Sequence, residues 1–326
     1  MNEKTVRAFA LQGSFTALIT PFKRGEREVD YDTLESLVQR QIQAETDGLV
    51  VLGTTAETPT LTNDERQRII RTVVREVDSR IPVIVGTGTN CTRTTIEQTK
   101  IAASLGADGV LVVTPYYNMP DQDGLKFHFQ DIAKDTKLPI ILYNVPKRTG
   151  VCLSKETIIE LSEEYENIVG LKQATGSLND VYEITNSCHI TVMSGDDHLT
   201  LPMMKLGAKG VISVLGNLMP QAMRELTHWD RYSSFEEFRE VQYLHRVISG
   251  LATKLSEFGP NPVPIKAAMA IKGLCGEQVR SPLCELELEK VVKDFLEVIE
   301  YRHLLDSKNK TSLFPRKIKR RTNDDY

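Results

Sequence analysis

Ala107-Asp108-Gly109-Val110-Leu111 carries the chain out of a helical segment and into an apolar run, and the chain uses the same phrase three times. Thr46-Asp47-Gly48-Leu49-Val50 precedes it and Ala208-Lys209-Gly210-Val211-Ile212 follows it. In each, a glycine stands between helical periodicity and a β-branched stretch, where a helix-to-strand turn is expected to use the left-handed backbone that glycine adopts cheaply. Outward from these three, similar runs predict strands at 15–21, 48–55, 82–88, 109–117, 139–145, 168–175, 191–196 and 210–215. Their starts lie roughly 20 to 35 residues apart, the length of one strand-helix unit. The runs are continuously apolar, as in parallel strands covered on both faces.

Between the runs lie segments such as 64–78, where Arg66, Arg68, Arg71 and Arg75 alternate with Ile69, Ile70, Val73 and Val74 and leave a one-sided apolar stripe. Eight such units close an α/β TIM (β/α)8 barrel, expected over 13–219. Residues 220–305 contain no strand pattern and read as a C-terminal helical appendage. From 306 to 326 the chain turns polar and basic and reads as a disordered tail, with an RNA or membrane contact as the alternative. A doubly wound Rossmann sheet is the competing architecture, but no G-x-G-x-x-G follows the first strand.

A TIM barrel keeps its chemistry at the C-terminal ends of its strands. Those ends hold Gly53-Thr54-Thr55-Ala56-Glu57, Thr114-Pro115-Tyr116-Tyr117-Asn118, Tyr143-Asn144-Val145-Pro146-Lys147-Arg148 and, within the sixth strand, Lys172. A lysine among Val169, Gly170, Leu171, Gln173 and Ala174, in a strand expected to be buried, faces either the barrel interior or the helix layer, where burial without a paired anion disfavours an ammonium and favours a free amine for imine formation. A salt-bridged or snorkelling lysine is the competing reading. Tyr143, Tyr117 and Thr54 offer hydroxyls able to pass a proton, or they are hydrogen-bonded core. Arg148 offers a planar fork for a carboxylate, or it is a surface arginine.

Taken together, Gly53-Thr54-Thr55-x-Glu57, Gly86-Thr87-Gly88, Val113-Thr114-Pro115-Tyr116-Tyr117-Asn118, Leu142-Tyr143-Asn144-Val145-Pro146-x-Arg148-Thr149-Gly150, Lys172-x-Ala174-Thr175-Gly176, Ser194-Gly195-Asp196-Asp197 and Gly210-Val211-Ile212-Ser213-Val214 resemble the dihydrodipicolinate synthase family of the N-acetylneuraminate lyase superfamily of class I pyruvate aldolases. The resemblance runs from about Gly13 to Leu305. It implies a lyase of lysine and diaminopimelate biosynthesis in which Lys172 forms a Schiff base with pyruvate and the enamine attacks L-aspartate 4-semialdehyde. It also implies Tyr143 as proton donor and acceptor, with Thr54 and Tyr117 completing the relay. Thr55, Ile212 and Gly195 fall on substrate-contact positions, and Arg148 on the position that binds the semialdehyde carboxylate. In the family the tyrosine matching Tyr117 serves a neighbouring subunit, so a homotetramer built as a dimer of dimers is implied, with no cofactor and no metal. Another pyruvate aldolase or lyase of the superfamily, acting on N-acetylneuraminate or a keto-deoxy sugar acid, is the alternative, and a non-catalytic binding barrel a further one.

Two positions depart from the family's pattern. Ala56 stands where glycine is usual, which is intolerable only at positive φ, and Gln173 stands where glutamate is commoner. Some members are inhibited by lysine at a site resembling the region of Pro59, Asn63, Arg66, Asn90, Thr94 and Tyr116. The acidic and histidine groups of sensitive bacterial members are absent from Asn63, Arg66 and Thr94, so weak or no lysine inhibition is expected.

Composition narrows the remaining classes. Formal net charge is −4, which gives no global attraction to nucleic acid or anionic lipid. Five cysteines without C-x-x-C spacing read as reduced thiols, and six dispersed histidines argue against a metal-dependent aldolase. Residues 1–15 lack the apolar core of a signal peptide and no stretch reads as a transmembrane span, so the expected compartment is the cytoplasm.

Overall fold

Each of the eight apolar runs becomes a strand: β1 (Gly13–Ala17), β2 (Gly48–Val51), β3 (Val83–Gly86), β4 (Gly109–Val113), β5 (Ile140–Asn144), β6 (Ile168–Gln173), β7 (Thr191–Ser194) and β8 (Gly210–Ser213). The computed structural model describes residues 10–25, 27–229 and 234–287. Neighbouring strands pair in parallel in sequence order, and β1 pairs with β8, so the sheet closes into a barrel and the Rossmann alternative is excluded. The predicted strands overrun at their C-terminal ends by one to four residues. There the chain leaves the hydrogen-bonded ladder for 3-10 turns at Thr54–Ala56, Asp197–Leu199 and Leu215–Asn217.

The helices are α1 (Tyr31–Gln43), α2 (Asn63–Val77), α3 (Thr92–Ser104), α4 (Gln122–Asp135), α5 (Pro146–Thr149), α6 (Lys155–Glu164), α7 (Leu178–Ser187), α8 (Thr200–Lys205), α9 (Pro220–Thr227), α10 (Phe235–Glu257) and α11 (Val263–Ile271). The arginine-rich segment forms α2, opened by a Thr62–Glu65 capping box, and buries Ile69, Ile70, Val73 and Val77. The helix α9 packs on β1 and β8 as the last helix of the ring, so we place the barrel's end after Thr227 rather than at 219. The expected tail 306–326, and the appendage beyond 287, lie outside the described residues. Among the described residues no helix is long and apolar enough to cross a membrane.

The glycine reading needs a correction. Before β2, β4 and β8 the left-handed residues are Glu45, Gly106 and Gly207, about three positions ahead of the glycines singled out in the sequence. Gly48 is there for closeness instead: a Cβ on it would stand 2.2 Å from the Phe15 ring. Apolar side chains then divide by strand alternation. Ile140, Leu142 and Leu171 face the helices, whereas Phe15, Val50, Ile84, Leu111, Ile141, Tyr143, Met193 and Ile212 fill the lumen.

Candidate active site

The alternation that sends Leu171 outward sends its neighbours inward. Gly170 abuts the lumen residue Leu11, Ala174 belongs to the lumen cluster, and Lys172 lies between them on the same face. Its side chain is 5% exposed, and its Nζ stands 4.4 Å from the centre of the Tyr143 ring. The β5–β6 register explains the meeting, since Tyr143 is the direct partner of Lys172 across the sheet. Among the described residues no carboxylate reaches ion-pair distance of this ammonium.

Beside the pair opens a cavity of about 250 Å³ lined by Thr54, Tyr143, Arg148 and Tyr116, and extending to Pro59 and Arg66. Thr54 begins the 3-10 turn that follows β2, and Thr55 is buried behind it. Two hydroxyls fix this turn: Thr58 Oγ1 donates to the Gly53 carbonyl at 3.0 Å and Thr20 Oγ1 to the Ala56 carbonyl at 2.9 Å. Ala56 is buried within the turn, and the left-handed residue is its neighbour Glu57, with φ 56°. The extra methyl at 56 is therefore accommodated without backbone strain.

Arg148 sits in the short helix α5, closed by Gly150 at φ 76°. Asn144, at the end of β5, sets that loop by accepting from Leu153 N at 3.0 Å and donating to its carbonyl at 2.9 Å. The Arg148 guanidinium reaches across to donate to the Asn261 carbonyl at 3.1 Å. On the opposite side of the mouth, Ile212 is buried in the lumen on β8. Gly195 follows β7 so tightly that a Cβ would lie 2.7 Å from that of Ala174, so only glycine fits.

Asp197 ties these two strand ends together. Its Oδ2 accepts the amides of Val214 at 3.1 Å and Leu215 at 2.8 Å, while its buried Oδ1 has no hydrogen-bond partner. Burial raises this carboxyl above the usual range, opposed by the Ser213 hydroxyl, the two amides and the positive charge of Lys172.

Of the residues singled out in the sequence, the fold gathers Lys172, Tyr143, Thr54, Thr55 and Arg148 about one mouth, with Ile212 and Gly195 across it. Tyr117 is not among them. It is 90% exposed, in the loop after β4, with φ 75°. Sequence reasoning named Glu57 within a motif without giving it work, and gave none to Asn144. The available signal was position, because a polar residue within a few places of a strand end falls at the barrel rim. Among the described residues no three His, Cys, Asp or Glu side chains gather as a metal site.

An eight-stranded parallel barrel with a buried lysine and tyrosine at the C-terminal mouth defines the general class, a (β/α)8 barrel with its polar groups where barrel enzymes keep them. Residues 10–298 match the model of the Dihydrodipicolinate synthetase family, and the chain belongs to that family. A 4-hydroxy-tetrahydrodipicolinate synthase of Methanococcus maripaludis is 43% identical over 276 residues, 85% of this chain and 93% of that protein. The crystal structure of dihydrodipicolinate synthase from Aquifex aeolicus superposes with a TM-score of 0.84 at 43% identity, covering 90% of this chain and 99% of the other. A chloride-inhibited dihydrodipicolinate synthase from Acinetobacter baumannii, complexed with pyruvate, has a TM-score of 0.84 at 39% identity, covering 90% and 100%.

Proposed function

We propose that the chain is a 4-hydroxy-tetrahydrodipicolinate synthase, a lyase that condenses pyruvate with L-aspartate 4-semialdehyde in lysine and diaminopimelate biosynthesis. The observation that carries the reading is Lys172, on the lumen face of β6 with no carboxylate at ion-pair distance among the described residues, its Nζ 4.4 Å from the centre of the Tyr143 ring, which lines an open cavity. The Nζ adds to the keto carbon of pyruvate and water leaves, giving an imine. Loss of a methyl proton converts the imine to an enamine, whose carbon attacks the semialdehyde's aldehyde. The semialdehyde's amine then adds to the imine carbon, and Lys172 departs as a free amine when the ring closes. The imine is itself the electron sink, so the reading calls for no cofactor.

Tyr143 passes protons in both halves, with Thr54 and Tyr117 relaying them. Thr55, Ile212 and Gly195 seat pyruvate, and Arg148 holds the carboxylate of the semialdehyde. Tyr117 does not line the cavity and is almost fully exposed, which suits service to a neighbouring copy in a homotetramer arranged as a dimer of dimers. The cytoplasm is the compartment that goes with this reading. Intact mass after borohydride treatment with pyruvate, followed by turnover with the semialdehyde, tests the function. A pyruvyl adduct on wild type that is lost in Lys172→Ala, together with semialdehyde-dependent turnover, supports it. An adduct without that turnover retains the aldolase and reopens the aldehyde, and no adduct on folded wild type overturns the reading.

A further inference from the structure

A second buried lysine lies behind the active-site mouth. Lys266, on α11, is fully buried, and its Nζ donates to Glu57 Oε1 at 2.5 Å and to the Gln278 carbonyl at 2.8 Å. The other oxygen of Glu57 accepts the Arg280 amide at 2.8 Å. Glu57 is the residue that closes the Thr54–Ala56 turn, donating its own amide to the Thr54 carbonyl, and it does so in the left-handed region that non-glycine residues seldom occupy. Such a conformation persists only where its surroundings over-determine it, and here the carboxylate is anchored from two directions.

The same stretch of chain grips the far end of the loop. Arg280 donates to the Thr60 carbonyl at 2.9 Å and, through both terminal nitrogens, to the carboxylate of Glu65. Lys266 and Arg280 both lie against the ring of Phe22, at 4.0 and 4.6 Å. Asn261, which opens the segment, accepts from Arg148 on the other side of the cavity. One segment from Asn261 to Arg280 therefore touches the mounting of both the Thr54–Thr55 turn and the Arg148 loop. Neither Glu57 nor Lys266 lines the cavity.

We propose that this segment braces the active site, with Lys266 as a positioning residue that holds the Thr54–Thr55 turn in its working shape through Glu57. The proposal rests on the function argued above and says how that site is kept in register. A buried ion pair is a poor way to gain stability but a sharply directional way to specify one arrangement, and the arrangement specified here is the turn beside Lys172. Replacing Lys266 by methionine keeps the length and apolar stem of the side chain while leaving Glu57 with a charge opposed by one amide.

The test compares wild type, Lys266→Met, the doubly neutral Lys266→Met/Glu57→Gln, and Arg280→Met. Each is measured for thermal unfolding, the borohydride-trapped pyruvyl adduct, and kcat and KM for each substrate on the folded fraction. A shift of the turn by a fraction of an ångström is expected to lower kcat by about tenfold or more in Lys266→Met. KM for pyruvate rises more than KM for the semialdehyde, while Lys172 still forms its adduct at saturating pyruvate. The double variant recovers part of the loss, because the opposed charge is gone. Arg280→Met, a partly exposed position that folds even if Lys266→Met does not, shows a smaller loss in the same direction.

Wild-type kcat and KM in the folded fraction of Lys266→Met, or in Arg280→Met when Lys266→Met fails to fold, make the segment merely structural and overturn the proposal. A wild-type protein that forms no pyruvyl adduct overturns the brace and the function together, whereas normal wild-type chemistry with unchanged variants overturns the brace alone.

Discussion

Lys172 and Lys266 are both buried and both set among apolar residues, yet their surroundings differ in kind. Lys266 is enclosed on every side, with a carboxylate and a carbonyl taking its protons and an aromatic ring beneath it. Burial pulls its ammonium below lysine's ordinary pKa, and the charge and hydrogen bond of Glu57 oppose that pull. Lys172 has an aromatic ring beside it as well, but among the described residues no carboxylate at ion-pair distance, and that ring, Tyr143, lines an open cavity. Burial alone does not make a lysine a nucleophile. The distinguishing conditions are an approach path for the substrate and a nitrogen not already committed to an anion.

The sharpest break between the two lysines is expected from exchanging what each can lose. Lys172→Ala should abolish the pyruvyl adduct and lower turnover by about four orders of magnitude or more, with an undiminished melting temperature, since no ion pair is lost. Retained turnover in that variant would transfer the chemistry to another group. Tyr143→Phe keeps the ring beside Lys172 but removes the hydroxyl. A fall in kcat of about 10²- to 10⁴-fold is expected, the range for a lost general acid-base, and a kcat close to wild type would make Tyr143 packing only.

Lys266→Met should show the reverse emphasis, with a loss of about 3 to 5 kcal/mol of unfolding free energy from the orphaned Glu57, measured by denaturant titration, and an adduct that still forms. If Lys266→Met melts as wild type does, Glu57 is held by its amide partner and the contrast drawn here fails.

Acid provides a smaller lever that reaches the brace. The Arg280 hydrogen bonds hold the Glu65 carboxyl down at about 2, so its contribution is present above the ordinary carboxylate range and is lost as pH falls toward 2. Burial holds His128 down at about 4. The unfolded chain takes up a proton at this imidazole first, so stability falls as pH drops from about 6.5 to 4 and then levels off for this group. Replacing His128 by glutamine should flatten the upper part of the acid unfolding curve, and Glu65→Gln the lower part; an unchanged curve would contradict the corresponding assignment.

The smallest effect is expected from free lysine. A lysine ligand needs for its own ammonium what Lys266 has in Glu57, yet the outer end of the cavity presents Arg66, whose guanidinium donates to the Thr58 carbonyl. Added L-lysine should leave turnover nearly unchanged, and inhibition at micromolar concentration in a steady-state assay would show that another group supplies the anion.

Much of the barrel was legible because apolar runs at regular spacing admit few closed arrangements, and all eight strands formed where the runs lay. The helix-to-strand turns were not legible in detail. The left-handed residue had to be placed by chain geometry, and it fell at Glu45, Gly106 and Gly207, while Gly48 answered to the Phe15 ring across the sheet. The boundary at 219 also moved, because Pro220–Thr227 looks like any amphipathic helix until β1 and β8 are seen to lie under it.

Two lysines illustrate the division most directly. Val169-Gly170-Leu171-Lys172 and Val263-Pro264-Ile265-Lys266 carry one message in sequence, a cation following an apolar run. That message, the strand order and the motif spacing are local and periodic properties, and the sequence by itself determined them. Which lysine would meet a tyrosine at an open mouth and which would meet a glutamate in a closed interior was decided by tertiary structure. Glu57 and Lys266 are 209 residues apart along the chain, and no local pattern encodes a contact that exists only after the barrel has closed.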